Sequence, residues 1–520
     1  MAKSDDSHLA LEQVDKLLIL CDEAMRATPE NVKRFIEPAP GVLAQSKAKQ
    51  HSLIFGRRGS GKSSLLRKVV ADLTIDRRPI SFVDMETFKG HSYPDVLISV
   101  LIKSLHEFQR WLETAALTPA TKTSFWNKIF GRAPERKPFN RVQTHELIEE
   151  LKSIIHGLEE KLSQPENIDV QVKETITNSQ EVAANLGVKT SGVEAGVSGK
   201  RSGAVSKEVS EGYKSAKTEY LHQNILKFQR FFSNLSNLSE GPAYLILDDL
   251  YHIRRSDQAK VIDYFHRIAK GNGLWLKVGT IKHRSEWYIH TDPPTGVKLG
   301  DDAKEINIDI SLEKFTSLKE FMKKILSNLM DETPPITVNS ILNPTAIDRL
   351  IIASGGVTRD FIGIFTKAIN QARNRGTDHH RGPRIGAEDV NLATGEYGEI
   401  KREEFKLDAD EDRKILEDAF AHLVSFCLND AKCNIFLINQ RLAGPVRDAI
   451  DQLIDLRLIH LVQSRVTLKK GAEGLVFQAF MLDTSEYTAS RKVHGLELID
   501  LNSKSFGEEI RKKKLLYEGR

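Results

Sequence analysis

Gly56-Arg57-Arg58-Gly59-Ser60-Gly61-Lys62-Ser63 places glycine, lysine and hydroxyl residues at the spacing G-x-x-x-x-G-K-S. That spacing suits a phosphate cradle, because glycines let successive backbone N–H groups turn inward on an anion at a helix start. Lys62 supplies a cation for the β- and γ-phosphates, and the Ser63 hydroxyl is a hard oxygen ligand for Mg²⁺. Arg57, Arg58, Ser60 and Ser64 complete the group expected to surround the triphosphate, read here as ATP.

Acidic partners follow much later in the chain. Ala243-Tyr244-Leu245-Ile246-Leu247 is an apolar run closed by Asp248 and Asp249. Asp248 is expected to hold Mg²⁺ through water, and Asp249 to act as the general base that orients the attacking water. Leu274–Thr280 reads as the next strand, and Thr280 at its polar end is placed to touch the γ-phosphate or the water. Lys282, His283 and Arg284 follow at once; each serves equally well as a phosphate reader or as part of a solvated turn, as do Arg254 and Arg255. Arg359 stands just after Ser354-Gly355-Gly356 at a helix start, where its fixed charge and planar donor fork suit a γ-phosphate sensor.

These groups need a scaffold. Ser52-Leu53-Ile54-Phe55 reads as a buried strand and Ser63–Val70 as a helix, the strand–loop–helix context that a phosphate loop requires. A leading helix spans Leu9–Ala27, a second strand Pro79–Asp84, and a long helix Pro94 to about Leu112. Lys62 and Asp248 are 186 residues apart, so residues 118–217 read as an insertion into the core. Within it a helix is expected over Thr144–Leu162, and Leu186–Val197 alternates like a weak hairpin before a Gly/Ser/Lys-rich stretch. A strand over Glu305–Ile310 and helices over Ser317–Asp331, Pro344–Ala353 and Phe361–Arg375 form a lid.

The last third gives a helix over Asp412–Leu428, a strand or turn at Ile435–Ile438, and a helix over Pro445–Leu456. Two strands follow, Leu458–Val462 and Leu475–Leu482, joined through Lys469-Lys470. Helices followed by a hairpin resemble a winged helix. Its groove-reading helix would hold Arg441 and Arg447, but Asp448, Asp451 and Asp455 bias it against DNA and equally suit a protein contact. Arg511-Lys512-Lys513-Lys514 is a short basic tail.

The chain of 520 residues is 40% hydrophobic and 28% charged, with a net charge of +4. These values describe an ordinary globular protein and do not themselves argue for nucleic acid. No apolar run reaches the ~18 residues of a membrane span, and the polar start has no apolar signal core, so a cytoplasmic location is expected. Cys21, Cys427 and Cys433 form no metal-ligand pattern and are expected as free thiols.

Phosphate loop, acidic strand end, polar end of the next strand and Gly-Gly-x-x-Arg lid helix together resemble an AAA+ ATPase. The stretch Arg359–Val390 is similar to the lid ending of the origin-recognition (ORC/CDC-type initiator) branch and its bacterial relatives. The fold class implied is α/β: a P-loop NTPase parallel-sheet core with an inserted subdomain, an α-helical lid and a C-terminal winged-helix domain. The expected division is 1–34 for the N-terminal helix, 35–310 for the core, 311–405 for the lid and 406–520 for the winged-helix-like domain and tail. Two departures matter: the pair is Asp248-Asp249 where the family has Asp-Glu, and the core carries a long insertion. The Asp-Asp pair resembles that of STAND-type signalling ATPases, the insertion is unlike a replication initiator's compact core, and both point to a bacterial regulatory or anti-phage defence ATPase. The resemblance implies slow ATP hydrolysis, ATP-dependent homo-oligomers and a protein effector, with no membrane. The alternatives are an ATP-gated DNA-binding initiator or loader, and a signalling scaffold with negligible turnover.

Overall fold

The computed structural model describes residues 9, 11–116, 139–163, 216–375, 382–408, 413–468, 474–488, 495–501 and 503–519. The alternating segment 186–197 and Lys469-Lys470 lie outside the described residues.

Five strands make a parallel sheet: β1 (Ser52–Phe55), β2 (Ile80–Asp84), β3 (Ala243–Asp248), β4 (Leu274–Thr280) and β5 (Lys304–Asn307). Their spatial order is β2-β3-β4-β1-β5. Helices of this part include α1 (Glu12–Ala24), α2 (Lys62–Ile75), α3 (Asp95–Trp111), α4 (Arg141–Ser163), α5 (Ile225–Leu238) and α6 (Arg255–Ala269). Both sheet faces are covered, so β1 is buried along its whole length, with Leu53, Ile54 and Phe55 apolar in succession instead of alternating. Leu53 and Phe55 join the core under α3, α5 and α6, whereas Ile54 joins the core under α2. This is the mixed α/β fold of a P-loop NTPase, with the phosphate loop between β1 and α2. Helix α4 falls inside the stretch read as an insertion, yet Leu151 and Leu158 are fully buried in the same core as α3 and α5.

A buried lysine fixes the approach to β1. Lys277 on β4 is fully buried, and its Nζ donates to Ala48 O and Gln50 O at 2.8 Å each and to Ser52 Oγ at 3.1 Å. Burial pulls its ammonium down to about 7, and three acceptors offset that cost.

The stretch read as the lid includes α7 (Phe315–Met330), α8 (Pro344–Ala353), α9 (Thr358–Asn374) and α10 (Ala387–Asp408). Pro344 starts α8, where a missing N–H costs nothing. Helix α1 buries Val14, Leu17, Leu20 and Cys21 in the lid's core. Helices α11 (Arg413–Ser425) and α12 (Pro445–Asp455) lie in the C-terminal part, with strands β6 (Ile435–Asn439), β7 (Ile459–Val466) and β8 (Phe477–Leu482). These strands form an antiparallel sheet in the order β6-β8-β7. One face carries Phe436, Ile438 and Phe480 toward α11 and α12. The other carries Ile435, Leu437, Ala479 and Met481, which merge with the lid's core. Both faces are therefore buried. Among the described residues, no helix is long and apolar enough to cross a membrane.

Candidate nucleotide site

The phosphate loop begins where β1 ends. Gly56 N donates to Thr280 O at 3.3 Å, tying the loop to the end of β4, and Arg57 N donates to both oxygens of Asp309 at 3.0 and 3.1 Å. Gly59 and Gly61 adopt φ of +80° and +101°, which only glycine takes without strain. Helix α2 opens at Lys62, so the unpaired N–H groups of its first turn face the loop. Lys62 is 5% exposed, and its Nζ donates to Gly56 O at 2.9 Å and Arg57 O at 3.2 Å. Burial lowers its pKa, while Asp249, 3.9 Å away, and Asp248 pull it back up.

Asp248 closes β3 beside Asp84 of β2. It is buried, its Oδ1 has no hydrogen-bond partner among the described residues, and Gly279 of β4 lies against it. A Cβ at Gly279 would stand 2.8 Å from Asp248 Oδ1, so the missing side chain is what gives the carboxylate its space. Burial and the neighbouring Asp249 raise the Asp248 carboxyl to about 7, against a hydrogen bond from Ser63 and the charge of Lys62. Asp249 turns the chain with φ of +54°, a conformation that aspartate tolerates better than most residues. Burial raises its pKa too, and Lys62, His252 and Arg359 oppose the rise.

These residues fit Mg²⁺. Ser63 and Asp248 share a hydrogen bond and leave a buried carboxylate oxygen over. Among the described residues no group of three acidic, His or Cys side chains could hold a metal alone. A hydroxyl and one carboxylate, with phosphate oxygens and water for the rest, is the donor set that Mg²⁺ prefers.

A cavity of about 180 Å³ joins these parts, with Arg58, Gly59, Lys62, Ser63, Asp249 and Arg359 on its walls. Arg359 comes from the lid, where its backbone N–H donates to Gly59 O at 3.1 Å. Arg359 thus faces the loop from across 300 residues of sequence. Thr280 is not brought to this cavity. It is fully buried, and its hydroxyl is engaged by the Ser285 hydroxyl. Lys282 pairs with Glu305 at 2.5 Å and His283 lies 3.6 Å from Asp451, both away from the cavity.

Other residues around the cavity carried no sequence signal. Glu86 after β2, and Tyr251 and His252 after β3, line it. A second hollow of about 100 Å³ adjoins it, sharing Ala24, Gly61, Ser64, Thr358 and Ile362. Its own walls mix apolar Phe35, Ile36, Pro38, Phe321, Ile325 and Leu329 with polar Arg26, Asn31, Arg34, Ser60 and Asn328. Arg34 holds this side shut through Glu332 of the lid, at 2.7 and 3.0 Å.

The residue after Arg359 is anchored in a buried charged cluster. Asp360 is fully buried and pairs with Arg457 and with Lys401 at 3.0 Å. Lys401 also meets Asp483 at 2.8 Å, and His460 Nε2 meets the same Asp483 at 2.8 Å. Arg457 and Lys401 hold the Asp360 carboxyl below its usual range despite full burial. Gly355 abuts His460, and Arg57 Nη2 donates to Gly355 O at 3.1 Å. An unbroken set of contacts thus runs from the phosphate loop through the lid to β7 and the turn after β8.

Helix α12, read as a possible groove reader, is docked on the core. Arg447 is tied to Asp451 and Gln478, Asp451 faces His283, and Asp455 is buried. In the basic tail, Lys512 and Lys514 both pair with Glu497.

No family model matches this chain, and no curated protein matches it. Among solved structures it is similar to the Walker-type ATPase of Pyrococcus abyssi, at 13% identity and a TM-score of 0.39, over 88% of this chain and 94% of that one. It is also similar to the ORC1 protein of Aeropyrum pernix in complex with DNA, at 13% identity and a TM-score of 0.34, over 90% of this chain and 94% of that one.

Proposed function

We propose that this protein binds ATP with Mg²⁺ at the loop Gly56–Ser63 and hydrolyses it slowly to reset a conformational switch. The supporting observation is the single cavity in which Lys62, Ser63, Asp249 and Arg359 meet. Backbone N–H groups of Gly59–Ser63 and the Lys62 ammonium receive the phosphates, and Lys62 leaves the loop carbonyls for them. Ser63 and Asp248 would hold Mg²⁺, which when bound screens the phosphate charge for attack at the γ-phosphorus. Asp249 takes the proton from the attacking water, and the hollow beside Phe35 and Ile36 receives the base. Arg359 binds the γ-phosphate and so reports ATP against ADP to the lid.

In this reading the switch drives ATP-dependent self-association and, through it, a protein effector, with bacterial anti-phage defence as the setting. The docked, acidic α12 supports protein contact over a DNA-gated initiator, since DNA would have to displace it. The test is a pair of variants. Lys62→Ala is expected to weaken ATP binding by roughly 10–100-fold, the scale of a charge-assisted contact. Asp249→Asn is expected to keep binding but cut turnover by about 10²–10⁴. Retained ATP affinity in Lys62→Ala sinks the whole reading; unchanged turnover in Asp249→Asn sinks the role of the base. Light scattering with ATP, with ADP and with duplex DNA separates self-association from DNA engagement.

A further inference from the structure

A separate cavity of about 280 Å³ lies between the end of the sheet and the C-terminal part, touching the phosphate loop only at Gly56 and Arg57. It shares no lining residue with the nucleotide cavity. Phe55, Ile454, Leu461 and Phe480 give it apolar walls. Most charged groups on it are already committed. Arg57 binds Asp309 and Gly355 O, Lys282 binds Glu305, and Arg447 binds Asp451 and Gln478. Asp309 receives the Arg57 N–H on both oxygens. Asp455 differs: it is 6% exposed, and its Oδ2 has no hydrogen-bond partner among the described residues.

We infer that this cavity is a binding site for an alkyl chain ending in a guanidinium or ammonium group, with Asp455 as its counter-ion. Apolar walls suit the methylene stem of such a group, while the charged head needs a carboxylate. A buried carboxylate oxygen without a hydrogen-bond partner is costly even beside the charges of Arg284 and Arg57, and a cation with hydrogen-bond donors relieves that cost. An anion would instead meet Asp455 and Asp309 together. The volume is near the lower end of small-ligand pockets, enough for one such chain. Arg57 connects the site to the loop, since its carbonyl accepts from Lys62 Nζ at 3.2 Å. A ligand here is therefore expected to change ATP affinity, and to be changed by it reciprocally. That coupling rests on the proposed ATP site; binding of the cation does not.

The groups facing Asp455 are Asp309, Arg284, Arg57 and Asp451, with His283, Lys282 and Arg447 around the same cavity. Burial and Asp309 raise its carboxyl to about 7, so cation affinity should fall about tenfold from pH 8 to pH 6.

The experiment is calorimetric titration of the full chain with agmatine at pH 8. Binding is expected in the wild type and at least tenfold weaker in two variants. Asp455→Asn removes the charge at constant size, and Ser311→Phe narrows the cavity but keeps the carboxylate. Absence of heat in the wild type, or equal affinity in all three proteins, overturns the proposal. Light scattering then distinguishes the source of the cation, each result presupposing that Asp455-dependent binding. A side chain from a second copy gives oligomers that agmatine dissolves and Asp455→Asn lacks; a free cation leaves the mass unchanged. Fluorescent-ATP binding, measured in parallel, shows whether the nucleotide reading stands independently.

Discussion

Asp455 shows how a single side chain can set a pH response. Its folded carboxyl is raised to about 7 from an ordinary 3.8, so between those values the folded chain keeps a proton that the unfolded chain has released. Stability contributed by this residue is therefore present below about pH 4 and lost as pH rises toward 7. Asp455→Asn is expected to raise stability by roughly 1–3 kcal/mol at pH 8 and to change little near pH 4. Calorimetric melting at both values checks this, and an equal shift at both would contradict it. Lys62 has the opposite sign of shift: burial lowers its pKa, while the two aspartates restrain the fall. A lysine held this way is ready to transfer to phosphate.

At the scale of elements, the sheet puts the carboxylate and the loop side by side because β4 comes close to β3 at Gly279. Gly279→Ala would place a Cβ 2.8 Å from both Asp248 Oδ1 and Leu66 Cδ1. It is expected to cost about 1–3 kcal/mol as overpacking and to weaken Mg²⁺-dependent turnover more than Mg²⁺-free nucleotide binding. Equal loss of both would point to general damage. In the lid, Asp360→Asn would leave Lys401 and Arg457 buried without their shared carboxylate. Urea unfolding should then show a loss of about 3–5 kcal/mol.

The elements were unequally legible in the sequence. The buried strands and the loop could be read locally, because continuous apolar runs and glycine spacing are local signals. The hollow beside the loop could not, because Phe35, Phe321 and Ile362 meet only after the lid folds back over the sheet. Thr280 was misleading for a related reason. Its position at a strand end was right, but the Ser285 hydroxyl that engages it comes from a turn with no distinctive pattern. Helix α12 reads in sequence as a groove reader or a protein contact, since nothing in its spacing shows that Asp451 lies beside His283 and that Asp455 is buried.

For the whole molecule, the C-terminal sheet and the lid share one apolar core, so they are not separable modules. A chain ending at Asp408 would expose the lid surface that β6 and β8 cover. Size-exclusion chromatography should find it aggregated or unfolded; a soluble, ATP-binding monomer would contradict that expectation. The cluster of Asp360, Lys401, Arg457, His460 and Asp483 has a consequence for inheritance. Asp360, Lys401 and Asp483 each answer two partners, and Arg457 ties Asp360 to Glu404, across segments more than 120 residues apart from end to end. No lineage could replace one member without stranding another in a dry interior. Positions 360, 401, 457 and 483 should therefore change together or not at all among descendants of this sequence, while the exposed turn residues around them drift freely.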